Sequence, residues 1–443
     1  MAVADNPQAA RAASSALFQH IVEPLADSFD PSKAALYVRF FSSVIDYCRR
    51  QPAFSTFDSR LGSLGLETEQ HFLDRAARIR TLRPYQQTSN PERDRVKTVL
   101  VPSRVTLGAD VAITSVILRR MKALFPAIRI ALLGNAKAGS LFASDGRVDL
   151  VETAYSRAGT LRERLEAWVA LTDAVSKHIA GLTPDEYLIV DPDSRLTQLG
   201  LLPLAPDDSR YFFFESRSYE PLSEQPLASL TGRWLDEVFA VGGNGPIERE
   251  IARSGPYVAL SAEDMGRGRA LRSKLPGRMA AVNLGVGGNR EKSVEDPFEL
   301  ELLVSLLDAG YTPVLDRGAG EEELQRTNRL ITALKSRGRT ACDVPPYGSE
   351  VPSADLFVWE GSLSGFGGLI ASADLYAGYD SAGGHLAAAL GTPLIDIFTD
   401  AAPPRMRQRW TPWGNASAQV ITVGRLAPGE ALREFRLALR EQR

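Results

Sequence analysis

Cysteine is almost missing from this chain of 443 residues: Cys48 and Cys342 are its only two, far apart and in no pairing pattern. That excludes a disulfide framework and a thiolate zinc site, and points to a reducing, cytoplasmic setting. An excess of one charge is missing too, since 51 Lys and Arg face 54 Asp and Glu for a net charge of −3, so nothing marks a nucleic-acid partner. No uninterrupted apolar run approaches the roughly 20 residues of a spanning helix. The opening Met-Ala-Val-Ala-Asp-Asn-Pro-Gln has no basic start followed by an apolar core, so no secretory signal is expected. There is no Gly-x-x-x-x-Gly-Lys phosphate loop, no Gly-x-Ser-x-Gly elbow and no His-Glu-x-x-His pair, which removes the kinase, serine-hydrolase and metalloprotease readings.

What is present is length enough for two or three domains and a change of pattern along the chain. Residues 1–96 read as helical: Leu36, Phe40, Val44 and Tyr47 form one stripe after Asp30-Pro31-Ser32, and Phe72, Ala76 and Ile79 another. The stripes are simply apolar, which favours a packing or oligomerisation element, a homo-oligomer through these helices included, over acceptor binding. From Thr98 strands alternate with helices. Thr98–Val101, a helix Val111–Phe125, Ile128–Leu133, a helix Leu161–Ala180, Tyr187–Val190 and Tyr211–Phe214 fit an α/β domain over 97–250. The Gly-rich stretch 241–246 begins the passage to a second α/β domain over 251–425. That domain opens with the strand Ala280–Leu284, the loop Gly285–Asn289, a helix Pro297–Ala309 and the strand Thr312–Asp316. A last amphipathic helix within 426–443, with Leu432, Phe435 and Leu439 on one side, is expected to pack back on the first domain.

The most informative stretch runs from Leu375 to Pro393. An apolar strand ends at Asp380; Ser381, Ala382, Gly383 and Gly384 keep the backbone open; Leu386, Ala389 and Leu390 then give a helix its buried face. A helix start offers unpaired N–H groups and a positive dipole end, which suit a diphosphate as well as an ordinary capping side chain. His385, one of only four histidines, stands in its first turn.

This stretch, with Asp, Ser, small residues and His ahead of Leu-Ala-Ala-Ala-Leu-Gly-Thr-Pro, resembles the C-terminal signature of glycosyltransferase family 9, the heptosyltransferases. The resemblance covers residue 97 to the C-terminus and leaves out the helical extension. It implies the GT-B fold, two Rossmann-like α/β domains facing a cleft, and an inverting, metal-independent transfer of a sugar from a nucleoside diphosphate donor such as ADP-heptose. No cofactor is expected. Asp380, Ser381, Gly383, Gly384 and His385 would hold the donor diphosphate, with Gly287, Asn289 and Lys292 of the loop after the second domain's first strand. Lys292 is the cation expected on the diphosphate, ahead of Arg290. Glu321 or Glu322 would accept donor hydroxyls. Gly108-Ala109-Asp110-Val111 is similar to the family's Gly-Asp-Val motif with one residue added, which makes Asp110 the expected base. Arg104, Asp191, Ser194 and Arg195 would line the acceptor side. The acceptor would be a hydroxyl of a saccharide, a lipid-linked glycan or a protein, and a lipid-linked one would bring the enzyme to the inner face of the membrane.

Two rival readings use the same residues: a nucleotide-sugar 2-epimerase, and a catalytically idle sugar-nucleotide-binding or scaffold protein. Asp191-Pro192-Asp193 also has the form of an Asp-x-Asp metal site, but its place in the acceptor-side domain argues against a metal there. Arg405, Arg407 and Arg409, interleaved with Pro404 and Trp410, read as a basic and aromatic loop open to phosphate, nucleobase or anionic membrane contact.

Overall fold

The computed structural model describes residues 6–85, 95–239 and 255–442. The Gly-rich stretch 241–246 lies outside them. Two compact units emerge: one from Met1–Gly139 with Asp145–Ser254, the other from Ser140–Ser144 with Gly255–Arg443.

In the first unit the longer helices described ahead of the sheet are α1 Pro7–Leu17, α2 Pro31–Arg49, α3 Ser55–Ser63 and α4 Glu69–Arg80. Asp30 caps α2 by accepting from Ser32 N at 2.8 Å, with Pro31 in the first turn where its missing N–H costs nothing. The buried stripe of α2 is Tyr37, Phe41, Ile45 and Cys48, one position round from the expected one; Leu36 and Tyr47 are 51% and 56% exposed. Two apolar stripes compete on this helix, and the one with two aromatic rings that stack at 5.4 Å turns inward. Phe72, Ala76 and Ile79 of α4 are buried as expected.

These helices do not stand apart from the sheet. Phe18, Phe41, Phe57 and Phe72 share one hydrophobic cluster with Leu100, Leu133, Trp168 and Ile189 of the α/β part. Phe57 meets Trp168 edge to face at 5.4 Å, and the buried Arg75 of α4 pairs with Asp208 at 2.8 Å while lying over the Tyr211 ring. Residues of the extension are therefore part of the first unit's core.

The sheet of this unit is parallel, ordered β3 (Val148–Glu152), β2 (Arg129–Gly134), β1 (Thr98–Pro102), β4 (Tyr187–Asp191), β5 (Tyr211–Phe213). Strand β3 is partly exposed throughout and carries Asp149 and Glu152, so it lacks the apolar run that marks the other strands. Between β1 and β2 runs α5, Ser115–Leu124, preceded by a π-helical turn Asp110–Thr114. A Thr160 and Glu163 capping box opens α6, Leu161–His178, and α7 spans Leu227–Val238.

The second unit has seven parallel strands, ordered β12 (Ala418–Val423), β11 (Leu394–Thr399), β10 (Leu375–Tyr379), β6 (Arg278–Asn283), β7 (Tyr311–Asp316), β9 (Leu356–Trp359), β8 (Ala341–Asp343). Its helices are α8 Ala262–Arg272, α9 Phe298–Asp308, α10 Glu321–Ser336, α11 Leu363–Ile370, α12 Ala382–Leu390, α13 Pro404–Trp410 and α14 Pro428–Glu441. The last helix packs within its own unit. Its stripe Ala431, Phe435, Ala438 and Leu439 is buried in the second unit's own core, with Phe298 and Leu302 of α9, and Arg436 Nε donates to Ser305 Oγ at 2.9 Å. Each sheet reverses its strand order beside its first strand, between β1 and β4 and between β6 and β10. At the carboxyl ends of such switch points two loops part and leave room for a ligand.

Candidate functional site

At the second unit's switch point the loop after β6 meets the start of α12. Asn283 ends β6, donating from Nδ2 to Asp316 Oδ2 at 2.6 Å and accepting from Gly285 N at 3.0 Å. Gly287 and Gly288 follow with φ of +60° and +80°, a left-handed path that suits glycine. Asn289 Oδ1 then accepts from Glu291 N at 3.1 Å and caps the short turn Arg290–Lys292. That turn delivers Lys292: its Nζ lies 2.6 Å from Asp380 Oδ2, at the carboxyl end of β10. Arg290 faces outward instead, paired with Glu322 at 2.6 Å.

Glu321 is exposed on the first turn of α10 and takes a hydrogen bond from Gln325. The acid brought against the β6 loop is Glu323, whose Oε1 accepts from Val286 N at 2.7 Å and Gly287 N at 2.9 Å while Oε2 accepts from Ala319 N at 2.8 Å. Sequence alone does not distinguish Glu323, because three consecutive glutamates look alike; only helix phase turns the third one inward. Beside it, burial raises the Asp316 carboxyl to about 6, and Glu323 adds to the effect.

The glycines of α12 serve close packing. Ser381 caps the helix, its Oγ accepting from Gly383 N at 3.3 Å and lying 3.3 Å from Tyr376 Oη. A methyl group on Gly384 would fall 2.6 Å from Asp396 Oδ1, and one on Gly383 would collide with Tyr376 Oη. Ala382 is the first helical residue with ordinary φ, so no glycine is needed there. His385 is buried, edge-on to Trp410 at 5.9 Å. The arginine segment is a short helix here, α13, with Arg409 buried.

Burial lowers the His385 imidazole to about 4 against the opposing pull of Asp380, so the ring is neutral near pH 7. Asp396 of β11 is fully buried, and neither carboxyl oxygen has a hydrogen-bond partner among the described residues. Burial, with Asp380 adding, pushes it well above the carboxylate range. The unfolded chain binds a proton at His385 below its ordinary 6.5, and the folded chain only below about 4. Stability is therefore lost as pH falls through that window, by about 3 kcal/mol in total. Thermal denaturation of wild type and His385→Leu at pH 7.5, 6, 5 and 4.5 is expected to show the variant gaining on wild type as pH falls. A constant difference between the two would refute a buried neutral ring.

In the first unit the loops after β1 and β4 interlock. Arg104, buried, donates from Nη1 to Pro192 O at 2.6 Å and to Ser216 Oγ; Ser194 Oγ donates to Ser103 O. Burial first, and Arg217 next, lower the Arg104 guanidinium to about 10. Asp110 is buried on the π turn. Its Oδ1 accepts from Arg104 N at 2.7 Å and Thr114 Oγ1 at 2.8 Å, and its Oδ2 from Ser103 Oγ at 2.7 Å. Burial raises this carboxyl and the three hydrogen bonds oppose it. A π turn holds one residue more than an α turn. Val105 sits at φ +74°, held by its N–H donating to Ser103 Oγ at 2.9 Å. For a β-branched residue that is a strained backbone, and such strain gathers at functional sites.

Asp191 and Asp193 do not present a joint metal-binding face. Asp191 accepts from Ser194 N, Thr197 Oγ1 and Tyr211 Oη, whereas Asp193 pairs with Arg217 at 2.8 Å and accepts from Ser216. Among the described residues no group of three or more His, Cys, Asp or Glu is placed to hold a metal ion. Arg195 reaches Asp27, a residue of the helical extension that no local sequence signal marks.

Against known proteins, residues 360–430 match the family model of glycosyltransferase family 9 (heptosyltransferase). Lipopolysaccharide heptosyltransferase 3 of Escherichia coli is 30% identical over 127 residues, which are 28% of this chain and 31% of that protein. The chain thus matches about a third of the length of that curated relative. Among solved structures, the glycosyl transferase family 9 protein of Veillonella parvula DSM 2008 superposes with a TM-score of 0.52 at 14% identity, over 74% of this chain and 86% of that one. The fold is the GT-B plan of two Rossmann-like units.

Proposed function

We propose that this chain, similar to glycosyltransferase family 9 in its C-terminal segment and GT-B in fold, is an inverting glycosyltransferase. It would move a heptose-like sugar from a nucleoside diphosphate, ADP-heptose in the first instance, to a hydroxyl of a saccharide, lipid-linked or protein acceptor. The observation that carries this is the Lys292–Asp380 pair at the mouth of α12, at the switch point between β6 and β10. An ammonium group and the N-terminal N–H groups of α12 would take the charge that builds on the leaving diphosphate. The neutral His385 beside them could donate to a phosphate oxygen without adding charge. On the other unit Asp110 is the proposed base, with one lone-pair position left by its three donors for an arriving hydroxyl. The name of the E. coli relative supports a heptose-like sugar and a lipopolysaccharide-type acceptor.

Calorimetry with ADP-heptose and other nucleotide sugars, followed by product analysis with and without an acceptor, tests the reading. Donor consumed only when an acceptor is present is expected; conversion of the donor alone would make the protein an epimerase, and binding without any turnover would make it a scaffold. Because charge compensation falls to Lys292 and a helix end, turnover is expected to survive exhaustive chelation unchanged. Loss in EDTA with recovery in Mg²⁺ or Mn²⁺ would reject the metal-independent mechanism.

A further inference from the structure

We propose that Asp27, carried by the helical extension, is a built-in counter-anion of the acceptor side, filling a seat between Arg195 and Arg217 that an anionic group of the acceptor takes over. This rests on the acceptor-side reading of the first unit. Asp27 Oδ1 accepts from Arg217 Nε at 2.8 Å and Oδ2 from Arg195 Nη2 at 3.0 Å, so one carboxylate bridges two guanidiniums. Both cations belong to the loops at the carboxyl ends of β4 and β5, beside Arg104, Ser103 and Asp110. The extension thus contributes a residue to the site as well as to the core.

Three features make Asp27 a replaceable occupant. It is the solvent-facing member of the group: its side chain is 37% exposed, against 13% for Arg195, 8% for Arg217 and 2% for Asp193. An anion arriving from solvent therefore meets Asp27 before it meets either guanidinium. The seat is also incompletely satisfied. Among the described residues, Arg195 Nη1 is buried without a hydrogen-bond partner. A carboxylate held by its two oxygens leaves this group unmet, and such a group is costly; a phosphate or a sugar carboxylate with neighbouring hydroxyls brings more oxygens. Finally, Asp27 sits on the turn between a one-turn helix, Glu23–Ala26, and α2, where Phe29 has φ +56°. A non-glycine residue in that region stores strain that moving the turn would relieve.

The charged groups facing Asp27 are Arg195, Arg217 and Arg104. Asp193 is already engaged by Arg217, and Asp110 and Asp191 direct their oxygens to hydroxyl and N–H donors. Although over a third of the Asp27 side chain reaches solvent, the protein packed around its carboxyl works to raise it; Arg195 and Arg217 outweigh this and hold it well below the usual range. It is an anion at all working pH, as a stand-in for an anionic group must be.

Inorganic phosphate is the probe. Calorimetry on the full chain is expected to give Asp27→Asn a phosphate affinity at least about ten-fold above wild type, Asp27→Glu an affinity near wild type, and Asp27→Asn/Arg195→Ala no gain. Equal phosphate affinity in wild type and Asp27→Asn, or a gain that persists without Arg195, would overturn the proposal. Should Asp27→Asn fail to fold, hydrogen exchange on the wild-type protein decides: phosphate is expected to speed exchange across residues 27–30, and unchanged exchange at saturating phosphate counts against displacement. Neither readout needs turnover, so loss of the transferase reading would leave a tested anion seat, and the reverse.

Discussion

Lys292→Ala is expected to weaken binding of a nucleoside diphosphate sugar by about 10- to 100-fold, the equivalent of about 1.5–3 kcal/mol for a hydrogen bond to a charged group. Two effects add. The diphosphate loses its cation, and Asp380, whose side chain is only 12% exposed, is left as an uncompensated carboxylate at the mouth of α12. The second effect can be isolated. Lys292→Ala/Asp380→Asn should recover part of the loss, because it removes the repulsion while leaving the helix N-terminus in place. Asp380→Asn by itself should also weaken binding, since the 2.6 Å contact with the charged carboxylate is what holds the Lys292 ammonium against β10. Isothermal titration of the four proteins with ADP-heptose gives the full cycle. Wild-type affinity in Lys292→Ala would remove the chief support for a donor site here.

The sequence made this part of the fold legible because its signals are local. A strand of small and apolar residues, a capping Ser381, two glycines and a periodic apolar face specify strand, turn and helix within nineteen positions, whereas Lys292 is singled out only by the family resemblance. Local pattern could not say why Gly383 and Gly384 are glycines: the reason is Tyr376 Oη and Asp396 Oδ1 beneath them, residues on two separate strands. It could not choose between Glu321, Glu322 and Glu323, because the choice rests on helix phase against a loop more than thirty residues earlier. The stripe of α2 was misplaced by one position for a related reason, as its partners lie in the sheet. Asp27 and Arg217 were invisible in sequence altogether: they stand 190 positions apart and become a pair only when the extension packs into the first unit. What sequence misses here is long-range pairing of charge and size.

Asp110→Asn is expected to lower turnover by roughly 10² or more while donor affinity stays near wild type, because a general base acts on the transition state and scarcely on ground-state binding. The hydrogen bonds around Asp110 make the substitution informative. An asparagine can keep its oxygen toward Arg104 N and Thr114 Oγ1, as Oδ1 does now, and place its amide toward Ser103 Oγ. Ser103 must then release its donated hydrogen bond, a loss of about 1 kcal/mol in stability, with Val105 N still able to reach Ser103 Oγ. Nothing in that change empties the site of protein, so a hundred-fold fall in single-turnover rate cannot be ascribed to unfolding. The opposite result has an equally definite meaning. If the rate per folded molecule is near normal and only the denaturation midpoint drops, Asp110 is a structural acceptor that pins the strained Ser103–Val105 turn, and the base has to be another group of the first unit. Asp191 and Asp193 would come next, although both carboxylates are already enclosed by donors. Single-turnover kinetics with a defined acceptor, read beside thermal denaturation of the same preparation, separates the two outcomes.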